Sequence, residues 1–365
     1  MSEPAPIAPA DAGTAQLRSL HADMGRRSRI YLGLLAFACA LQVLALFLPF
    51  MRIDVFIAGG ETYSLLHTVW LLWTEGLWGI ALLIAGFSVV FPFVKMALLL
   101  HAWCGMAPGP GRTHLLVWMG RLGKWSMLDP FTVLVLVMLA SDQWAVSATT
   151  FLGVYAFLTA VAISMALSMV ASVLDEHTIR EREVVPRPPR RMLLRAAGWR
   201  GAVALMALAS GIANFVGTLA NPFLQINQFL LHGESYGITG AAVTMVRERN
   251  WPLAALSCFG LLLMPGVLLL AEAWAWLTPA RPLTHLRRRR LIAFAAEWSM
   301  LDVMALALGL FLLEGQRFVK TDIQTGLWLL IATALCLWVV GWIGRHAAHA
   351  GVQRVDSPSL SASRA

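Results

Sequence analysis

Eight apolar stretches dominate the sequence, each close to the ~20 residues that a helix needs to cross a bilayer. Hydrophobic residues make up 58% of the chain and charged residues only 13%, whereas about 25% of an average soluble domain is charged. Inside lipid a backbone must satisfy its own hydrogen bonds, which favours helices. We therefore predict an all-α integral membrane protein with eight spans, at Ile30–Phe50, Leu77–Trp103, Ser126–Ala145, Thr149–Ser172, Gly201–Asn221, Pro252–Leu277, Ser299–Leu313 and Thr325–Gly344.

The cations predict the orientation of these spans. Of the 28 lysines and arginines, 22 fall before the first span, after the last, or in the loops that follow even-numbered spans. Cytoplasmic loops carry an excess of Lys and Arg, so both termini and these loops are predicted to be cytoplasmic. The net charge of +8 is thus explained by topology and by contact with anionic lipid, and no nucleic-acid partner is indicated.

The chain also contains an internal repeat. The pentapeptide WSMLD occurs at Trp125–Asp129 and at Trp298–Asp302, 173 residues apart. The same offset aligns Pro49 with Pro222, Tyr63 with Tyr236, Pro92 with Pro265 and Gly153 with Gly326, without a gap. A tandem duplication of four spans keeps both copies in the same orientation, related by a pseudo-twofold axis along the membrane normal. Two such bundles can enclose a cleft suited to a substrate.

The repeat divides the chain into two membrane units with polar segments around them. We expect a disordered cytoplasmic lead at 1–29, a first four-helix unit at 30–178, a charged Pro-rich linker at 179–198, a second unit at 199–346 and a disordered tail at 347–365. Each unit also carries a strand-like alternation that ends in a turn, around Gly59 and Gly233, which predicts a small extracytoplasmic β-hairpin. A short interfacial helix is expected to begin at Ser64 in the first unit.

The repeated pentapeptide has two interpretations. In the first it is a capping box, with Ser126 and Ser299 as N-caps and Asp129 and Asp302 reaching back to the free amides of a helix start. In the second the helix begins earlier, at least in the second copy, which would bury Asp302 more deeply as a functional carboxylate. In the first copy the preceding segment carries Arg121 and Lys124 and is expected to lie at the membrane surface, which favours the first interpretation there.

Lys95 is the cation that lies inside a predicted span. A charge at membrane depth indicates function and needs a partner, and we predict a pair with Asp129. The alternative is that Lys95 extends to the membrane surface. The second unit has Leu268 at the place of Lys95 and Glu297 at the place of Lys124, with Glu272 one turn beyond Leu268, so the halves differ in charge.

The remaining motifs are weaker indications of a functional site. Pro92 and Pro265 should kink their spans and leave a carbonyl unpaired. Gln42 and Asn214 most simply make interhelical hydrogen bonds. The cysteines show no C-x-x-C spacing, so neither a metal site nor a disulfide framework is indicated, and no cofactor or catalytic constellation stands out.

Three motifs resemble those of the paraquat-inducible protein A family of inner-membrane proteins. They are "LPFM" at the end of span one, "EGLWGIALLIAGFSVVFPFVK" in span two and "LGKWSMLDPF" opening span three, and "EWSMLDV" is similar to the last one in the second copy. The likeness covers roughly Ile30–Arg345. The residues that match the family motifs are Pro92, Lys95, Trp125, Ser126, Asp129, Pro265, Trp298, Ser299 and Asp302. Two features depart from the family: the cysteine-rich zinc ribbons of many relatives are absent, and the second unit lacks the motif lysine.

The resemblance implies a non-enzymatic subunit of the bacterial inner membrane. It would work with a periplasmic partner that bears MCE (mammalian cell entry) domains and move phospholipids between the two membranes of the envelope. One alternative is a proton-coupled transporter of small amphipathic compounds, with Lys95 and Asp129 as the relay. Another is a scaffold that maintains the envelope without transporting anything. An embedded redox or hydrolytic enzyme is the last alternative.

Overall fold

Both halves of the chain fold with the same order of elements. The computed structural model describes residues 25–55, 59–76, 78–141, 146–182, 198–228, 231–278, 282–315 and 321–356. The first unit consists of α1 (Arg26–Phe47), β1 (Pro49–Val55), β2 (Gly59–Ser64), α2 (Leu65–Thr74), α3 (Trp78–Ile84), a π-helical segment π1 (Ala85–Val90), α4 (Phe91–Cys104), α5 (Pro110–Gly123), a 3₁₀ turn (Lys124–Met127), α6 (Leu128–Ser141), β3 (Val146–Thr150) and α7 (Leu152–Arg182).

The second unit repeats this order with few differences. It consists of α8 (Trp199–Ala220), β4 (Leu224–Gln228), β5 (Leu231–Tyr236), α9 (Ile238–Arg247), α10 (Trp251–Leu256), a second π-helical segment π2 (Ser257–Leu263), α11 (Met264–Leu277), α12 (Pro282–Trp298), α13 (Leu301–Gly315), β6 (Thr321–Ile323) and α14 (Thr325–Asp356). Several elements, such as α2 and α9, begin exactly 173 residues apart.

Seven of the described helical segments are long and apolar enough to cross a membrane. They are Arg26–Phe47, Ala81–Cys104, Leu152–Glu176, Trp199–Ala220, Trp251–Leu277, Arg287–Leu312 and Thr325–His346. The predicted span Ser126–Ala145 is not among them. Its helix α6 has 14 residues, about 21 Å at ~1.5 Å per residue, and it follows the 3₁₀ turn.

The predicted boundaries of the polar segments also need correction. Helix α1 begins at Arg26, so the lead is shorter than the predicted 1–29. Helix α7 continues to Arg182 and α14 to Asp356, beyond the predicted ends of their units. Most of the predicted lead and linker, and residues 357–365 of the predicted tail, lie outside the described residues.

Each unit holds a three-stranded antiparallel sheet rather than an isolated hairpin. The central strands β1 and β4 pair with β2 and β5, and on their other edges with β3 and β6. The third strand comes from nearly a hundred residues later in the chain, which is why local sequence patterns did not reveal it. Which side of the membrane the sheets face stays a prediction.

Two matching glycines allow the sheets to meet the long helices. A Cβ on Gly153 would come within 2.5 Å of the Pro49 carbonyl oxygen, and one on Gly326 within 2.4 Å of the Pro222 carbonyl oxygen. The amide of Gly326 donates to that same carbonyl at 2.9 Å. The repeated glycine is therefore explained by close backbone approach rather than by flexibility.

We expect Gly153→Ala to lower the free energy of unfolding by about 1–3 kcal/mol, because the added methyl group has no room beside the Pro49 carbonyl. The measurement is thermal or denaturant unfolding of the purified protein in detergent. Gly33→Ala is the control, since a Cβ on Gly33 meets nothing within 4 Å. Equal stability of the two variants would contradict the packing argument.

The short helices α2 and α9 are each followed by a residue with positive φ, but the residue differs between the two units. Asn250 donates its amide to the Met245 carbonyl and Arg249 to the Val246 carbonyl, at 2.9 and 3.1 Å, which is the Schellman pattern of a helix C-terminus. This pattern needs a left-handed residue, and Arg249 takes it with φ 56°. The matching residue of the first unit is Gly76, with φ 81°.

Replacing Arg249 with glycine should stabilise the protein by about 0.5–1 kcal/mol, because glycine adopts positive φ without steric cost. Unfolding in detergent measures the change. Gly76→Ala is the reciprocal variant and should destabilise by a similar amount. An Arg249→Gly protein that is less stable than the parent would show that the arginine side chain stabilises this turn.

The two units meet along a packed apolar seam. Helix α6 of the first unit lies against α13 of the second, and Leu134, Met304 and Leu308 on these helices are fully buried in one shared core. At one end of the seam the Asn250 side-chain oxygen accepts hydrogen bonds from the Thr150 and Tyr155 hydroxyls, at 2.6 and 2.8 Å. The cleft expected between the bundles is thus closed by side chains where α6 and α13 meet.

Candidate functional site

A group of buried polar side chains lies inside the apolar body of the first unit. Gln42, Ser88, Lys95, Ser126 and Asp129 are each at most 6% exposed. Gln42 Oε1, Lys95 Nζ, Ser126 Oγ and Asp129 Oδ2 have no hydrogen-bond partner among the described residues. Unpaired polar atoms in an apolar medium are costly. Their concentration here makes this region the candidate site.

Pro92 explains the contact between Gln42 and Ser88. Pro92 has no amide hydrogen, so the carbonyl of Ser88 four residues earlier has no partner within the helix. Gln42 of α1 donates its side-chain amide to that carbonyl at 3.4 Å. The predicted interhelical hydrogen bond of Gln42 is therefore confirmed. Asn214 differs, because its amide bonds to Ser210 on its own helix.

In the second unit a backbone amide bonds to a carbonyl one position earlier in the repeat, that of Gly260, which matches Phe87. The π-helical segment π2 of this unit precedes Pro265, which removes the amide that would pair with Gly260 in the i→i+5 register of that segment. The amide of Met300, in the break between α12 and α13, donates to the Gly260 carbonyl at 3.1 Å. A carbonyl about one turn before each proline thus accepts a hydrogen bond from another element, Ser88 from Gln42 and Gly260 from Met300.

Lys95 does not pair with Asp129, which corrects the sequence prediction. Its side chain is 1% exposed, so it does not reach the surface either. The ammonium lies against Gly123, where a Cβ would come within 2.5 Å of Nζ. The opposite charge that acts on it is Glu297 of the second unit, without direct contact.

Asp129 has surroundings of its own. It begins α6 and its carboxylate faces the hydroxyl of Ser88 on π1. Seven residues separate Ser88 from Lys95, which is two helical turns, so both side chains lie on one face of the second span. Asp129 and Lys95 therefore belong to the same polar face at different depths.

Helix α5 separates the two interacting charges. A Cβ on Gly120 would come within 3.6 Å of the Glu297 carboxylate, while Gly123, one turn on, borders Lys95. Side chains at these positions would fill the space between the ammonium and the carboxylate. The two glycines therefore allow the Lys95 ammonium and the Glu297 carboxylate to interact electrostatically across the seam without touching.

A second charge pair crosses the seam nearby. Lys124 Nζ lies 2.5 Å from Asp302 Oδ2, with side chains 21% and 31% exposed. At this end of the seam the first unit thus supplies lysines and the second supplies carboxylates. Because Lys124 and Glu297 are matching positions of the repeat, this charge difference distinguishes the two units where they touch.

The repeated pentapeptide has a structural role that sequence reasoning missed. Ser126 lies in the 3₁₀ turn and makes no cap bond, and Ser299 caps no amide among the described contacts, so the capping box is wrong. The preceding segments are helical in both copies. The tryptophans instead contact phenylalanines of the π-helical segments, Trp125 at 6.1 Å from Phe87 and Trp298 at 5.5 Å from Phe259 between ring centroids.

The acidic residues Asp302 and Glu272 of the second unit have surroundings different from those of Asp129 in the first. Asp302 is more exposed than Asp129, so the expectation of a deeply buried Asp302 is wrong; it bonds to Lys124 and to the Val303 amide. Glu272 is 8% exposed, and it interacts with Trp276 and with Arg345. The second unit thus has its own buried carboxylate, Glu272, which interacts with Arg345. The first unit has a serine, Ser172, at the position that matches Arg345.

One buried ion pair was not predicted. Arg112 Nε donates to Asp175 Oδ1 at 2.7 Å, and both side chains are at most 1% exposed. The hydroxyl of Thr113 donates to the other carboxylate oxygen. The pair joins α5 to α7. The one sequence feature that indicated this ion pair is the position of Asp175 beside an apolar stretch, near the end of a predicted span.

Within the described part of the chain, no three His, Cys, Asp or Glu residues are grouped as a metal site would require. Two charge interactions, Lys95 with Glu297 and Lys124 with Asp302, instead lie across the junction of the two halves. These features define a class of protein: a multi-pass membrane protein built from two repeated helical units with buried charges at their junction.

The chain belongs to the paraquat-inducible protein A family, whose model matches residues 30–181 and 202–346. The two matches correspond to the two structural units, which confirms the family and the internal repeat. Comparison with curated proteins and with solved structures gave no match.

We expect Lys95 and Glu297 to be energetically coupled although they lie in different units. In a double-mutant cycle of Lys95→Met and Glu297→Gln, the coupling in unfolding free energy should be at least about 1 kcal/mol, because removing one charge leaves the other buried and uncompensated. Unfolding in detergent is the measurement.

The matched control is the cycle of Lys124→Met and Asp302→Asn. That pair is partly exposed, so its coupling should be about 0.2–1 kcal/mol. Additive effects of Lys95→Met and Glu297→Gln would show that the two charges do not interact.

Proposed function

We propose that this protein is the inner-membrane subunit of a phospholipid transport system and acts with a periplasmic MCE-domain protein. Family membership is the observation that carries this proposal, because the match covers both units of the chain. In this proposal all eight segments cross the membrane, the short α6 included, and both termini are cytoplasmic. The sheets then lie on the periplasmic side, where they form the docking surface for the partner.

The structure supports a role in handling lipids inside the membrane. Many large apolar side chains are exposed on the helices, among them Phe47, Trp251 and Trp338 at 72%, 63% and 64%. Such surfaces suit contact with lipid rather than water. Because α6 and α13 close the centre of the seam, a lipid would travel beside the bundles, or the seam would have to open.

The test is isolation of the partner from native membranes. The tagged protein is crosslinked in cells, purified in detergent and analysed by mass spectrometry for proteins and lipids. We expect enrichment of a protein with MCE domains and of phospholipids, relative to an unrelated tagged multi-pass protein expressed at the same level. Recovery without any MCE-domain protein, together with unchanged envelope lipid distribution in a deletion strain, would overturn the proposal.

A second candidate, a proton-coupled transporter of amphipathic compounds, is favoured by one observation. Lys95 and Asp129 are buried on one polar face with unpaired atoms, as expected for groups that exchange protons within a membrane. Uptake into vesicles would then depend on a pH gradient and be lost in Lys95→Ala. Full uptake by that variant would exclude this candidate and favour a scaffold.

A further inference from the structure

The two short helices that follow the sheets are packed very differently. Helix α9 buries four residues of its inner face, whereas α2 buries only Leu65. The residues of α2 that match the buried side chains of α9 are half-buried. The matching pairs are Thr68 with Ala241, Val69 with Ala242 and Leu72 with Met245.

The position of α9 explains its burial. It packs against α6 of the first unit and against π2 of its own unit. Asn250, just after α9, accepts the hydrogen bonds of Thr150 and Tyr155 from the first unit. Helix α9 therefore fills the space between the two units on one side of the pseudo-twofold axis.

Helix α2 does not fill the matching space on the other side. The elements against which it packs most closely are α1, β2 and α3, all of its own unit. The walls that α2 would cover are correspondingly less buried. On α13, Leu306 and Leu310 are half-buried, whereas the matching Val133 and Val137 of α6 are 5% and 1% exposed.

Two further observations mark the same gap. Phe87 of π1 is half-buried, whereas the matching Gly260 of π2 is buried. A Cβ added to Gly309, on the same flank of α13 as Leu306 and Leu310, would meet nothing within 4 Å. Its counterpart in α6 is Leu136. Faces of α2, π1 and α13 are thus less buried than the matching faces of α9, π2 and α6, which pack together around the space on the other side of the junction.

We propose that this groove, between α2, π1 and α13, binds an acyl chain of a phospholipid. The occupant is inferred from the matching space on the other side of the junction, which the protein fills with apolar side chains of α9. Hydrocarbon is therefore the occupant expected in this groove. At the outer end of the groove, Trp70 and Trp73 of α2 are 61% and 51% exposed, as expected at the boundary with lipid headgroups. This inference rests on the proposed function only in taking a phospholipid as the source of the chain.

The test uses a photoreactive lipid. The full-length protein is reconstituted into phosphatidylcholine and phosphatidylethanolamine vesicles that contain a phosphatidylcholine with a diazirine on one acyl chain. After irradiation, labelled positions are mapped by mass spectrometry. We expect Leu306 and Leu310 to be labelled several-fold more than the matching Val133 and Val137.

A filling variant separates the groove from ordinary contact with the bilayer. Gly309→Phe should lower labelling of Leu306 and Leu310 several-fold, while Leu335 of α14, which is 59% exposed, keeps its labelling. Gly309→Leu, which copies the residue of the other unit, should act in the same direction with less risk to folding. Elution as a single species in detergent verifies that each variant is folded.

Equal labelling of α6 and α13, or labelling of α13 that Gly309→Phe leaves unchanged, would overturn the proposal. If a photoreactive amino acid placed at Leu310 crosslinked to another protein chain in place of lipid, that would also overturn the proposal, because the occupant would then be a protein. Recovery of the MCE-domain partner is measured separately, so failure of the groove and failure of the proposed function are distinguishable.

Discussion

The requirement that backbone polar groups find partners in an apolar surrounding shapes this protein more than any other constraint. Each unit places a proline inside its second long helix, and each proline leaves a carbonyl without its usual amide. A π-helical segment precedes Pro92 and another precedes Pro265. In the first unit the Ser88 carbonyl accepts from Gln42, and in the second the Gly260 carbonyl, one position earlier in the repeat, accepts from the amide of Met300. The conserved order of elements thus surrounds two different local solutions.

This difference has consequences for the rest of each unit. In the second unit the chain breaks between α12 and α13, and the Met300 amide in that break donates to the Gly260 carbonyl. In the first unit the 3₁₀ turn continues the helix, and Ser126, Asp129 and Lys95 remain buried as polar groups. The two units therefore differ in the charged groups that they bury, since the first buries Lys95 and Asp129 and the second buries Glu272. Their junction combines lysines of one with carboxylates of the other, which favours pairing of unlike units over like ones.

Sequence patterns predicted the elements whose signals are local. The apolar stretches, the repeat offset, the matching glycines Gly153 and Gly326 and the prolines could all be read directly. The partner of Lys95 could not, because Glu297 lies in the other unit and approaches only when the two bundles pack. The third strand of each sheet was missed for a similar reason, since β3 and β6 pair with strands far earlier in the chain. The capping box failed because Ser126 lies inside the 3₁₀ turn that continues α5, and Ser299, in the two-residue break before α13, caps no amide among the described contacts.

By itself the sequence determined the class of protein, its duplication and its family, because composition, helix length and a fixed offset are properties of the linear chain. Only the tertiary structure decided which charges meet, that the centre of the seam is closed, and that α9 covers one side of the junction while α2 leaves the other side open. These features depend on packing between helices that are distant in the chain. Two copies with the same pattern of apolar residues can differ there, since a few side chains at the contact determine how closely the helices approach.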